Sequence, residues 1–103
     1  MINLIPDCLR FVTQLDLTGN HLLTLNGIEQ FANLEVLVID YNLINLPEEF
    51  GRVKNKFFMR QVSFIGNPVY WMVEEKDFPE MGFNKLVKVN AGRNSIKTKE
   101  KKQ

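Results

Sequence analysis

One eleven-position pattern occurs four times in this chain, and it limits the fold more than any compositional statement can. It reads Val12-x-x-Leu15-x-Leu17-x-x-Asn20-x-Leu22, then Leu34-x-x-Leu37-x-Ile39-x-x-Asn42-x-Ile44. The third copy is Met59-x-x-Val62-x-Phe64-x-x-Asn67-x-Val69, and the fourth is Leu86-x-x-Val89-x-Ala91-x-x-Asn94-x-Ile96, where an alanine replaces a large residue. Successive asparagines lie 22, 25 and 27 residues apart. Self-similarity at such a period marks stacked units, each too small to bury its own apolar face alone.

The residue types follow from what each position must do. Alternation such as Leu15-Asp16-Leu17 predicts a short strand with one buried face, and stacked copies predict parallel strands sharing one core. Past each strand the backbone turns without a ladder partner, and an amide side chain both donates and accepts there. Asn20, Asn42, Asn67 and Asn94 are therefore expected to form a structural column, not a ligand set. In the return segments, Ile5-Pro6-x-x-Leu9-x-x-Val12 and Leu46-Pro47-x-x-Phe50-x-x-Val53 share an apolar spacing after proline. They predict convex turns or short helices. The longer aromatic-rich return from Tyr70 to Phe83 predicts a helix that pads the core.

The pattern resembles the leucine-rich repeat, L-x-x-L-x-L-x-x-N-x-L. With Gly27-Ile28-x-x-Phe31-x-x-Leu34 closing it, the first copy resembles the short intracellular class of about 22 residues. The resemblance covers residues 3 to 96. Gly66-Asn67-Pro68-Val69 is similar to the final-repeat sequence of several such proteins, whereas the Leu86 to Ile96 match favours continuation of the array. The resemblance implies an α/β leucine-rich-repeat solenoid, with short parallel strands on the concave face and turns and short helices on the convex face. About four repeats are expected over residues 1–96, followed by a flexible basic tail over 97–103. Neither end shows a cap, so docking into a larger assembly, or a longer parent chain, is expected.

Chemistry is sparse. The six glycines form no phosphate-cradling motif, and with one histidine, His21, and one cysteine, Cys8, no standard zinc site can be assembled. No third group orients a Cys8/His21 pair, and the adjacent carboxylates Glu48-Glu49 and Glu74-Glu75 splay apart, which predicts a solvated surface. The expectation is a non-enzyme without metal or cofactor. Apolar runs are far too short to span a bilayer, and Met1 to Asp7 lacks a signal-peptide pattern. A lone cysteine and no Asn-x-Ser/Thr sequon point to the cytoplasm or nucleus.

Two surfaces remain. Residues 1–84 hold 6 Lys/Arg and 11 Asp/Glu, net −5, while 85–103 hold 7 and 1, net +6. The basic end suggests an alternative role as a nucleic-acid- or ribonucleoprotein-associated subunit, weakened because no aromatic follows Phe83 to stack on bases. The favoured surface is concave. If the alternating leucines point inward, their neighbours stack in outward columns: Gln14, Val36, Gln61, Lys88; Asp16, Val38, Ser63, Asn90; and Thr18, Asp40, Ile65, Gly92. Tyr41 sits at the column edge. This face is expected to bind a protein partner, in a scaffold or adaptor.

Overall fold

The computed structural model describes residues 9–90. Within them, the alternating segments form four three-residue strands: β1 (Gln14–Asp16), β2 (Val36–Val38), β3 (Gln61–Ser63) and β4 (Lys88–Asn90). All pair parallel, in chain order β1-β2-β3-β4. Consecutive parallel strands need a crossover between them, and here each crossover is built from turns of 3₁₀ helix. The architecture is a small mixed α/β layer.

The register aligns Gln14, Val36, Gln61 and Lys88 in one row, then Leu15, Leu37, Val62 and Val89, then Asp16, Val38, Ser63 and Asn90. The same step of hydrogen bonds recurs at each junction. The Thr13 carbonyl accepts from the Glu35 and Val36 N–H groups, that of Glu35 from Arg60 and Gln61, and that of Arg60 from Val87 and Lys88. Past the strands the ladder continues through Leu17 N–H to Val38 O and Ile39 N–H to Ser63 O, at 2.7 and 2.8 Å. Equivalent positions of the sequence pattern are thus equivalent positions in space.

The inward row feeds one core. Leu37, Ile39, Val62 and Phe64 are buried, and Leu25, Ile28, Phe31, Leu34, Ile44, Phe50 and Val53 close it from the crossovers. At the outer strands the filling is thinner: Leu15, Leu17 and Val89 are only partly buried. Between β3 and β4 the core is aromatic, with Phe50 edge-on to Phe64 and Phe78 at 5.1 and 5.4 Å, and Phe78 edge-on to Phe83 at 5.5 Å. Such ring pairs stabilise by about 0.5–1.5 kcal/mol beyond their buried area.

Two expectations require correction. The return from Tyr70 to Phe83 is not one helix; the crossover from β3 to β4 contains three 3₁₀ turns, Pro68–Trp71, Glu75–Asp77 and Pro79–Met81. Pro79 removes the N–H that a continuing helix would need, and Gly82, at φ 101°, ends the last turn in a left-handed conformation that glycine adopts without steric cost. The padding role is carried instead by Val73, Phe78 and Phe83, all buried.

Glu49 is the second correction. Its side chain is only 12% exposed. One oxygen accepts the Leu25 N–H at 2.8 Å and the Thr24 hydroxyl at 2.7 Å, and pairs with Arg52 at 2.8 Å. Arg52 also reaches Glu29 at 3.2 Å, so this carboxylate clips one crossover to the next. Glu48 and Glu75 are exposed as expected, whereas the Glu74 side chain, 15% exposed, is drawn into a capping box with Asp77. The proposed tail at 97–103 and Asn94 lie outside the described residues.

Candidate functional site

The side of the sheet opposite the core presents the rows that flank the leucines. Val36 and Val38 stand half-exposed on β2, with Gln14 and Asp16 of β1 beside them, and these four line a shallow depression together with Leu15. On the other side of Val36 lie Gln61, half-buried, and then Lys88, exposed. Ile65 continues the surface past β3 and is half-buried. The residues expected to form one face are therefore brought together, among those described; the side chain of Asn90 and residue Gly92 are not.

Four of them, Ser63, Asp40, Asp16 and Thr18, have side chains already committed to hydrogen bonds within the fold. Ser63 is 3% exposed, so it faces the open side yet presents almost nothing to it. Its hydroxyl donates to an Asp40 carboxylate oxygen at 2.7 Å, and the same oxygen accepts the Ile65 N–H at 2.9 Å. Asp16 accepts from the Thr18 hydroxyl and N–H at 2.6 and 3.0 Å. The Thr18 hydroxyl first, then its N–H, holds the Asp16 carboxyl below the usual range. Burial alone would push the Glu49 carboxyl up, but the Leu25 N–H, the Thr24 hydroxyl and Arg52 together bring it below its ordinary value.

Asn42 and Asn67 sit at the edge of this face and turn inward. Asn42, buried, accepts the N–H groups of Asn20 and Leu22 at 3.0 and 2.9 Å and donates to the carbonyls of Leu17 and Ile39, both at 2.9 Å. Asn67, also buried, accepts the Ile44 N–H at 3.0 Å and donates to the carbonyls of Ile39 and Phe64 at 2.8 and 3.1 Å. Each side chain thus satisfies backbone groups of two successive units. Asn20 is exposed and donates to the Leu17 carbonyl at 2.8 Å.

Tyr41 stands apart. The residue just before each of these asparagines adopts positive φ: Gly19 at 73°, Tyr41 at 57° and Gly66 at 82°. Two of the three are glycine, which tolerates that region; Tyr41 does so with a side chain, and its ring lies over Gly66 while remaining 63% exposed.

Pattern reading along the open face missed the surface around Phe57 and Phe58. Phe58 and Lys85 each lie three residues before a strand, so the same alignment carried upstream would have placed them side by side. Among the described residues no cluster of three or more His, Cys, Asp or Glu could hold a metal ion, and no helix is long and apolar enough to cross a membrane. Compared with known proteins, the chain matches no family model and no curated protein.

Proposed function

We propose that this chain is an arc of a leucine-rich-repeat solenoid that recognises a protein partner on its open sheet face, as a non-enzymatic scaffold or adaptor in the cytoplasm or nucleus. The periodic asparagines and the recurring hydrogen-bond step support the repeat assignment. Tyr41 carries the functional reading. A side chain in the left-handed region costs about 1–2 kcal/mol, glycine fills the same place in the flanking units, and the ring contributes exposed aromatic surface instead of core. An exposed tyrosine at the edge of a face that also carries half-exposed valines and polar groups matches the composition of an interface centre.

The test compares wild type with Tyr41→Gly. Crosslinking in extract identifies the bound protein, and a titration against that protein then reads affinity. Tyr41→Gly is expected to melt no lower than wild type and to bind at least tenfold more weakly. A variant that melts markedly lower and binds normally would show that the ring serves only the fold.

A further inference from the structure

The fold separates its charges by edge. The stretches 9–13, 31–35, 53–60 and 83–87, which lead into the four strands, contain five cations, Arg10, Lys54, Lys56, Arg60 and Lys85, and one carboxylate, Glu35. The stretches 17–30, 39–52 and 64–82, which leave the strands, contain eight carboxylates and two cations, Arg52 and Lys76, both held in ion pairs. The strand-entry edge is thus positive and the stretches leaving the strands are negative, an arrangement that the net charge of +1 conceals.

On that positive edge aromatic rings are exposed beside cations. Phe57 and Phe58 are 48% and 56% exposed, with ring centroids 5.0 Å apart at 83°. The Lys85 ammonium, from the next unit, lies 5.4 Å from one ring and 5.6 Å from the other. The pairing repeats at the β1 end of the edge, where the Arg10 guanidinium lies 4.9 Å from the ring of exposed Phe11. None of these three rings belongs to the core, and a hydrophobic core does not require a lysine parked on a phenylalanine. At exposed sites such contacts are weak and readily exchanged for a better partner.

We propose that this edge is a binding site for single-stranded nucleic acid, distinct from the open sheet face. The partner must present anionic charge and flat apolar surface in alternation along an extended chain. Phosphates answer the first requirement and bases the second: a base stacks on a half-exposed ring, and the lysine or arginine beside that ring turns to the adjacent phosphate. An acidic peptide offers charge without planes. A bilayer favours apolar groups that project, whereas Phe57 and Phe58 are half-sunk and carry their cation over the ring. Phenylalanine has no hydrogen-bonding group, so recognition is indifferent to base identity.

The experiment is a fluorescence-anisotropy titration of the full chain against labelled single-stranded RNA and DNA of about twelve nucleotides at low salt. A single strand of either sugar is expected to bind. Phe57→Ala/Phe58→Ala should weaken binding by about tenfold or more, Phe57→Tyr/Phe58→Tyr should retain it, and Tyr41→Gly, on the other face, should leave it unchanged. Lys85→Ala should lower affinity and reduce the slope of log K against log salt by about 0.7. Circular dichroism checks each variant; if the double alanine variant fails to fold, the Lys85→Ala affinity and salt slope decide. Absence of binding, equal affinity of a folded double alanine variant, an unchanged Lys85→Ala slope, or tighter binding to duplex, polyglutamate or phosphatidylserine vesicles would each overturn the proposal.

Discussion

An asparagine amide has two donors and an acceptor with two lone pairs, which is what two backbone segments need where both have just left a strand. Asn42 uses all of this capacity within a buried site. Asn42→Leu is therefore expected to cost at least about 1–3 kcal/mol, since several buried backbone groups lose their partner at once, while Glu48→Gln on the exposed neighbouring surface should shift the urea midpoint little. Equal midpoints would contradict the column's structural role. Glu49 gives a second expectation, this one in pH. Its folded-state pKa lies below the ordinary 4.5, so its contribution is complete above that value and is lost as pH falls through the lower folded value. Glu49→Gln should lose stability at neutral pH and should show a smaller further drop between about pH 5 and pH 3 than wild type, measured by paired urea melts.

At the scale of elements, the turn after each strand is the informative one. Gly19 and Gly66 both hold positive φ, but a methyl at Gly19 meets nothing, whereas at Gly66 it would overlap the Tyr41 ring, with Cε1 2.8 Å away and Cδ1 closer still. Gly66→Ala should thus destabilise more than Gly19→Ala, and the excess should disappear in a Tyr41→Gly background. Thermal melts of the four variants form a double-mutant cycle; an excess that survives Tyr41→Gly would place the clash elsewhere. The strands themselves were legible in the sequence because alternation and register act locally: Leu37 and Ile39 are buried and Val36 and Val38 half-exposed, as strand geometry requires. The return from Tyr70 was not, because apolar spacing alone does not distinguish a helix from successive 3₁₀ turns, and Pro79 with Gly82 decides between them. Glu49 was illegible for a different reason. A carboxylate between Glu48 and Phe50 looks solvated until the preceding unit brings the Leu25 N–H to it.

Across the whole molecule, one sheet separates an apolar interior from an open face, and one edge from its opposite in charge. The rows of that face could be written from the repeat alone, because stacking in register turns sequence offset into position. What alignment could not reveal is which of those side chains are available: Ser63 and Asp40 bond to one another, whereas Tyr41 and Val38 keep exposed surface. Val38 and Leu37 are adjacent residues on opposite sides of β2, so a charge at each asks a different question. Lysine is the better probe than aspartate, since Asp16 stands directly opposite Val38 and a second carboxylate would add repulsion. Leu37→Lys should unfold the chain by burying an unpaired charge. The decisive measurement is the affinity of folded Val38→Lys for the protein that wild type captures: the open-face account expects a native circular dichroism spectrum with capture lost, and a folded Val38→Lys that still binds as wild type does would contradict it.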